Sequence, residues 1–312
     1  MEKPILYIIV PCYNEQDVLL ETSYVLNEKL ISLINNSIIN AKSKIVFVND
    51  GSVDNTWNYI KKLADDNEHI EGIALSRNRG HQNACLAGLL ESIDYYDISI
   101  TIDADGQDDI NAIDEMINKY QDGNDIVYGV RSNRDTDSFL KKFTAETYYK
   151  ILLLLGVNVV YNHADYRLIS KKAMKELSKF NEVNLFLRGM IPLIGFNSTK
   201  VFYKREKRIA GKSHYDISKM FNLAIDGITS LSIEPIKLIF IGGLFIALIS
   251  FILIIVFSFI GSALLICSSV ICFVLGIQII AIGIVGTYVG KTYLETKARP
   301  RYIVSKRTWI ND

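Results

Sequence analysis

The sequence predicts an α/β domain with a mostly parallel sheet, followed by an apolar C-terminal part. In residues 1–130, short apolar runs alternate with amphipathic stretches, and this alternation is typical of βαβ units. The hydropathy changes near residue 235, because residues 236–290 contain a single charged side chain, Lys237. Lys plus Arg and Asp plus Glu number 34 each, so the overall charge gives no reason to expect a nucleic-acid partner.

Five strands and four helices are predicted to alternate along the first part of the chain. The strands are expected at 5–10, 44–48, 72–75, 98–102 and 125–129, and the helices near 18–33, 55–64, 82–92 and 110–120. In sheets of this kind, ligands bind at the carboxyl ends of the strands. Polar clusters follow the first four strands, at 11–15, 49–54, 76–81 and 103–109. We therefore expect four loops to meet at one edge of the sheet.

The chain is predicted to have four parts. These are a core over residues 1–135, a second region over 136–234, an apolar part over 235–290 and a basic tail over 291–312. Within the second region, the segments 139–155 and 218–233 combine apolar residues with lysine, and they predict helices that lie at a membrane interface. Helices that pack in an ordinary core are the alternative.

The apolar part is predicted to be a hairpin of two transmembrane helices, at 236–260 and 263–290. Each run is long enough to span, as a helix, a hydrocarbon core of roughly 30 Å. Positive side chains flank the pair on both sides, so the positive-inside rule predicts a multi-pass inner-membrane protein with its catalytic part in the cytoplasm. Two buried helices of a soluble protein are the alternative.

The acidic run at residues 103–109 is the strongest candidate for a chemical site. It holds Asp103 and Asp105 at the end of an apolar strand, where a turn lets both carboxylates converge on one hard cation, Mg²⁺ or Mn²⁺. Such a cation would bridge a diphosphate and neutralise the charge that develops on a leaving group. The alternative is an acidic turn that caps the next helix, with Asp108 or Asp109 as the N-cap.

The loops after the other strands add carboxylate and amide groups able to bind a base and a ribose. They lie at 11–15, 49–56 and 76–80. A turn followed by a helix N-cap at Asp54 explains part of the second loop, but it does not exclude a binding role for Asp50. Four such loops on one edge of a sheet predict a nucleotide pocket.

Residues 11–15, 49–52, 76–80 and 103–107, in this order, resemble glycosyltransferase family 2, whose GT-A fold is a Rossmann-like mixed sheet. With the apolar C-terminal part, the chain is similar to the polyprenyl-phosphate glycosyltransferases, the group of the bactoprenol glucosyltransferases and dolichol-phosphate mannose synthases. The resemblance implies Asp50 at the base, Asp103 near the ribose, and a metal site. The implied nucleotide-binding residues are Pro11, Tyr13, Glu15, Asp50, Asn78, Gly80, Asp103 and Ala104, and the implied metal ligands are Asp103, Asp105 and Gln107.

Several basic residues resemble the family's contacts to the acceptor phosphate. The implied set is Arg131, Lys142, Arg208, Lys212 and Ser213, the last three in a segment similar to the mobile loop that closes over the substrates. Arg131 follows the fifth strand and can grip a phosphate bidentately, although an ordinary surface arginine is the alternative. Asp165 resembles an acidic residue that faces the acceptor, and a structural pairing with Arg167 is the alternative.

The resemblance implies the inverting transfer of a hexose, with glucose the first choice, from a UDP-sugar to undecaprenyl phosphate for modification of a cell-envelope glycan. N-acetylglucosamine, or mannose from GDP-mannose, is the alternative. The predicted catalytic residues are Asp105, Asp165 and Arg131. A lipid phosphate is largely dianionic at neutral pH, so no strong general base is needed. Asp165 is therefore predicted to orient the reacting groups and not to abstract a proton. Relatives imply a homotetramer.

Two other functions agree less well with the sequence. A processive polysaccharide synthase is disfavoured, because the Gln/Arg/Trp motif of that group does not follow the carboxylates. A non-catalytic membrane scaffold is disfavoured, because Asp103 and Asp105 are both present.

Overall fold

A computed structural model describes residues 3–132, 163–182, 186–204 and 263–309. Within these ranges eight strands form one sheet. The strands are β1 (Leu6–Cys12), β2 (Lys44–Asn49), β3 (Ile70–Leu75), β4 (Ile98–Thr101), β5 (Ile126–Arg131), β6 (His163–Ser170), β7 (Ser198–Tyr203) and β8 (Val304–Arg307). Their order across the sheet is β7-β5-β6-β4-β1-β2-β3-β8.

Seven helices accompany the sheet in the described part of the chain. They are α1 (Leu19–Asn35), α2 (Thr56–Asp66), α3 (His81–Glu91), α4 (Ala112–Gln121), α5 (Lys171–Leu177), α6 (Leu187–Leu193) and α7 (Ala263–Lys297). The five predicted strands and four predicted helices of the first part are confirmed, with ends displaced by one or two residues.

The sheet is mixed, with a parallel centre. β1 pairs in parallel with β2 and β4, and β2 pairs in parallel with β3. The carboxyl ends of these four strands therefore lie at one edge, as expected for βαβ units. β6 lies between β4 and β5 and is antiparallel to both.

Apolar side chains cover both faces of the sheet, which explains why all seven residues of β1 are buried. One core contains residues of α1, α2 and α4, and the other contains residues of α3, α5 and α6. Helix α3 approaches the sheet closely at Gly88, where a Cβ atom would lie 2.3 Å from Cγ2 of Ile9. This glycine brings α3 and its N-terminal residue, His81, close to the strand ends.

The predicted basic tail contributes to the sheet. Residues 304–307 form β8, which pairs antiparallel with β3 at the edge of the sheet. Arg307 forms an ion pair with Glu91 of α3, and the Gly72 N–H donates to Oγ1 of Thr308 at 2.8 Å. The chain that follows α7 is therefore held against β3 and α3.

Helix α7 covers the second predicted transmembrane segment and continues to Lys297. Side chains are described for only some of its residues. Among the residues that the structure describes, no helix is both long and apolar enough to cross a membrane. The predicted hairpin is thus not supported by these residues. Its first segment, 236–260, and both predicted interface helices, 139–155 and 218–233, lie outside them.

Candidate active site

A cavity of about 190 Å³ opens at the carboxyl ends of β1, β2, β3 and β4. Its lining comes from all four polar loops, and consists of Pro11, Cys12, Tyr13, Glu15, Asp50, Asn78, Gly80, His81, Ala84, Asp103, Ala104 and Asp105. The structure thus brings all eight predicted nucleotide-binding residues to one cavity. Their individual roles stay predictions.

The loops after β1 and β2 hold one another in place. The Asn14 N–H donates to Oγ of Ser52 at 2.9 Å, and the Val53 N–H donates to Oδ1 of Asn14 at 3.0 Å. The Glu15 N–H donates to Oγ1 of Thr56 at 3.0 Å. Asn14 has a φ of 53°, in the left-handed region that asparagine tolerates better than most residues. These contacts fix the wall that carries Tyr13 and Glu15.

Asp50 anchors the loop that follows β3. Its Oδ1 accepts from the Arg79 N–H at 2.7 Å, and its Oδ2 accepts from the Gly80 N–H at 2.9 Å. Burial raises the pKa of Asp50, and the two N–H donors act in the opposite direction. Gly51 lies against this loop, because a Cβ atom there would be 2.4 Å from the carbonyl carbon of Arg77. Each carboxylate oxygen keeps a second lone pair, so a contact from Asp50 to a base is compatible with this anchoring.

The acidic run after β4 places three carboxylates close together. Asp103 and Asp105 line the cavity, and Asp108 is buried behind them with one oxygen, Oδ2, that has no hydrogen-bond partner among the described residues. Gln107 does not line the cavity, and its N–H donates to Oδ1 of Asp105 at 3.2 Å. The capping alternative applies in part. Asn111 is the N-cap of α4, and the Asp109 side chain caps the turn before it, because its Oδ1 accepts from the Asn111 N–H at 2.9 Å, whereas Asp108 makes no such contact among the described residues.

Asp103 and Asp105 offer carboxylate oxygens, the type of ligand that Mg²⁺ and Mn²⁺ prefer. The described ranges contain no group of three or more His, Cys, Asp or Glu side chains placed to hold a metal ion. Magnesium bound to nucleotides, however, needs only one or two carboxylates, because phosphate oxygens and water complete its shell. The cluster also carries excess negative charge. Burial, Asp103 and Asp105 raise the pKa of Asp108 to about 6, although the Tyr203 hydroxyl and Arg131 act to lower it.

The raised pKa of Asp108 leads to a pH-dependent prediction. A carboxyl that titrates near 6 in the folded state and near 3.9 in the unfolded chain binds more protons when folded, so stability falls as the pH rises through this window. Asparagine does not ionise. We expect Asp108→Asn to stabilise the metal-free protein by about 3 kcal/mol at pH 8 and by clearly less at pH 5, as measured by thermal denaturation in chelator.

Asp109→Asn is the matched control for this experiment, because it changes a carboxylate of the same loop whose Oδ1 accepts from the Asn111 N–H. We expect it to change the free energy of unfolding only slightly. A stabilisation by Asp108→Asn that does not change between pH 5 and pH 8 would contradict the assignment of a raised pKa.

Asp165 lies in a cluster of cations formed by His81, Arg167 and Arg188. Its Oδ1 accepts from Nη2 of Arg167 at 2.5 Å and from Nε of Arg188 at 3.1 Å, and its Oδ2 accepts from Nη2 of Arg188 at 2.9 Å. Burial by itself raises the pKa of Asp165, but Arg188, Arg167 and His81 hold that pKa well below its usual range. A carboxylate with a lowered pKa is a poor base. The structural pairing of Asp165 with Arg167, the alternative given in the sequence analysis, is present.

His81 and Arg188 are candidate site residues to which the sequence assigned no role. His81 lines the cavity, and its Nε2 lies 3.4 Å from Oδ1 of Asp103 and 3.6 Å from Oδ2 of Asp165. His81 therefore lies between the carboxylates of Asp103 and Asp165. Its place at the end of the third polar cluster, 76–81, was a usable signal. Arg188 belongs to no recognisable motif. It is a candidate site residue only because its side chain contacts Asp165.

Arg131 lies at the end of β5, level with Tyr203 of the parallel strand β7. Its Nε donates to the Tyr203 hydroxyl at 3.4 Å, and that hydroxyl donates to Oδ1 of Asp108 at 2.6 Å. The predicted acceptor arginine is thereby linked to the acidic loop. The other predicted acceptor contacts, Lys142, Arg208, Lys212 and Ser213, lie outside the described residues.

Comparisons with known proteins identify the family of the chain. The model of the family described as glycosyl transferase family 2 matches residues 7–178. Glycosyltransferase YkoT of Bacillus subtilis (strain 168) is 43% identical over 317 residues, covering 97% of this chain and 91% of the relative. The bactoprenol glucosyl transferase of Shigella phage SfX is 38% identical over 272 residues, covering 85% of this chain and 88% of the relative. The chain belongs to glycosyl transferase family 2.

Proposed function

We propose that this glycosyltransferase moves a hexose, with glucose the first choice, from a UDP-sugar to a polyprenyl phosphate such as undecaprenyl phosphate. One observation carries the proposal: four strand-end loops converge on a single cavity that contains the carboxylates of Asp103 and Asp105. Two arginines, Arg167 and Arg188, lie nearby around Asp165. The names of the relatives support the choice of acceptor and sugar, since one of them is a bactoprenol glucosyl transferase.

The donor side of the cavity suits a nucleotide diphosphate. Tyr13 is 40% exposed at the cavity and offers a ring on which a base can stack, while Asp50 and Asn78 offer polar partners for base and ribose. Asp103 and Asp105 would hold Mg²⁺ or Mn²⁺. When bound, such a cation supplies positive charge against the diphosphate leaving group.

The acceptor side suits a phosphate dianion. A phosphate oxygen of the lipid attacks the anomeric carbon in line, a new carbon–oxygen bond forms, and the bond to the diphosphate breaks as UDP leaves. An α-linked donor therefore yields a β-linked product. Because the acceptor is already charged near neutral pH, Arg131 binds and orients it, and Asp165 holds Arg188 at the acceptor side without abstracting a proton.

A polyprenyl acceptor requires a site at the bilayer surface, and helix α7 supports this placement. Its apolar side chains are exposed to an unusual degree for a protein surface, with Ile280 at 63%, Ile282 at 70% and Val289 at 63%. We infer that the apolar part at 235–290 holds the enzyme at the membrane. The number of spans, the cytoplasmic orientation and the homotetramer stay predictions.

The direct test supplies the full-length protein in lipid with Mn²⁺, undecaprenyl phosphate and radiolabelled UDP-glucose, UDP-N-acetylglucosamine or GDP-mannose in parallel. We expect one labelled lipid with a single sugar, formed fastest from UDP-glucose. Undecaprenol, which lacks the phosphate, is the matched control acceptor and should give no product. A labelled polymer would favour a processive synthase, and the absence of a labelled lipid with every donor would refute the proposal.

A further inference from the structure

The hydroxyl of Tyr203 joins two parts of the site that belong to different elements. It accepts a hydrogen bond from Nε of Arg131 at 3.4 Å and donates one to Oδ1 of Asp108 at 2.6 Å. Arg131 ends β5, and Asp108 belongs to the loop that also carries Asp105. A single hydroxyl therefore connects the arginine assigned to the acceptor phosphate with the carboxylate loop of the donor side.

The position of this hydroxyl is fixed by packing. Tyr203 is 3% exposed, and its ring makes an edge-to-face contact with the ring of Tyr166, with centroids 5.2 Å apart and planes at 85°. Its backbone is paired in register with Arg131 through the parallel strands β5 and β7. Because the ring packing and the strand pairing already fix Tyr203, its side chain loses little further conformational entropy when it binds the flexible Arg131 side chain.

We propose that Tyr203 is a positioning residue for the acceptor phosphate, holding the Arg131 guanidinium in its binding orientation and tying it to the carboxylate loop. The proposal rests on the proposed function, because it needs a phosphate acceptor at Arg131. An arginine held by a neighbour presents its donors in a fixed fork, whereas a free arginine must be ordered when the phosphate binds.

Tyr203→Phe tests this role, because it removes the hydroxyl and keeps the packed ring. We expect the Kd and the KM for the polyprenyl phosphate to rise about tenfold, as is typical for a lost hydrogen bond to a charged group. The Kd for UDP and the KM for UDP-glucose should change less than about twofold. If the hydroxyl had only a structural role, its loss would lower the affinity for both substrates to a similar extent.

Tyr166→Phe is the matched control. Its hydroxyl donates to the carbonyl of Asp109 at 3.0 Å, so the substitution removes one hydrogen bond to the same loop without affecting Arg131. We expect unchanged binding of both ligands. In an Arg131→Ala background, Tyr203→Phe should cause no further loss of affinity for the lipid phosphate, because the group that it positions is gone.

Equal effects of Tyr203→Phe on both ligands, no effect on either, or the same further loss in the Arg131→Ala background would overturn the proposal. The binding measurements use farnesyl phosphate and UDP on the full-length protein, so they do not depend on turnover. A wild-type protein that makes no labelled lipid refutes the proposed function, whereas an unchanged Kd for farnesyl phosphate in Tyr203→Phe refutes the role of Tyr203.

Discussion

Asp105→Asn is expected to lower the rate of sugar transfer by about 100-fold or more, because it removes a carboxylate from the cavity that we propose for the cation and the diphosphate. Asp105 is 6% exposed and lines the cavity, and asparagine keeps its shape while it loses the charge. Initial rates measured over a range of Mn²⁺ concentrations should show a lower maximal rate and a weaker dependence on the metal.

Asp109→Asn serves as the control for this effect, because it neutralises a carboxylate four residues away that does not line the cavity. We expect it to keep wild-type rates within about twofold, since its turn contact with Asn111 needs only an oxygen acceptor. An Asp105→Asn enzyme with the wild-type rate and metal dependence would remove Asp105 from the site.

Asp165→Asn is expected to destabilise the protein by about 3–5 kcal/mol, because it leaves two buried or half-buried arginines without their shared carboxylate. The Arg167 side chain is only 2% exposed, and Arg188 binds Asp165 through two nitrogens. Thermal denaturation at pH 7 measures the loss. Since the pKa of Asp165 is lowered on folding, its contribution is complete above a pH of about 4 and is lost as the pH falls through the folded value.

Asp125→Asn is the matched control for stability. Asp125 also pairs with a cation, but the Lys172 side chain is 68% exposed, and exposed pairs contribute roughly 0–1 kcal/mol. We therefore expect a much smaller loss. An Asp165→Asn protein with wild-type stability and no activity would contradict the positioning role and would favour direct participation of this carboxylate in the reaction.

The central part of the fold and its cavity could be predicted because they depend on local patterns. Apolar runs such as Ile98–Thr101 alternate with amphipathic helices, and chain direction alone brings the loops after parallel strands to one edge. This rule predicts that Asp50, Asn78 and Asp103 lie close together, and all three line the cavity. Gln107 illustrates the limit of the approach, because its side chain is not part of the lining although Asp105 is.

The elements that were not predicted depend on pairing over long sequence distances. β8 has only one apolar residue, Val304, and it is a strand because the chain beyond α7 returns to β3. β7 alternates exposed and buried residues at the edge of the sheet, where Lys200 gives little apolar signal. Arg188 meets Asp165 across 23 positions, and no spacing rule links them. By contrast, Arg167 is two residues from Asp165, so the sequence alone indicates that the two side chains can pair.

We propose that Asp103 and Asp105 hold a divalent cation against a nucleotide diphosphate in the strand-end cavity. A crystal structure of the full-length protein with UDP and Mn²⁺, with data collected at the manganese absorption edge, tests it directly. We expect one anomalous peak within about 2.5 Å of an oxygen of Asp103 or Asp105, in contact with the UDP phosphates and with uracil near Tyr13. A manganese peak away from both aspartates, or UDP bound outside this cavity, would contradict the account.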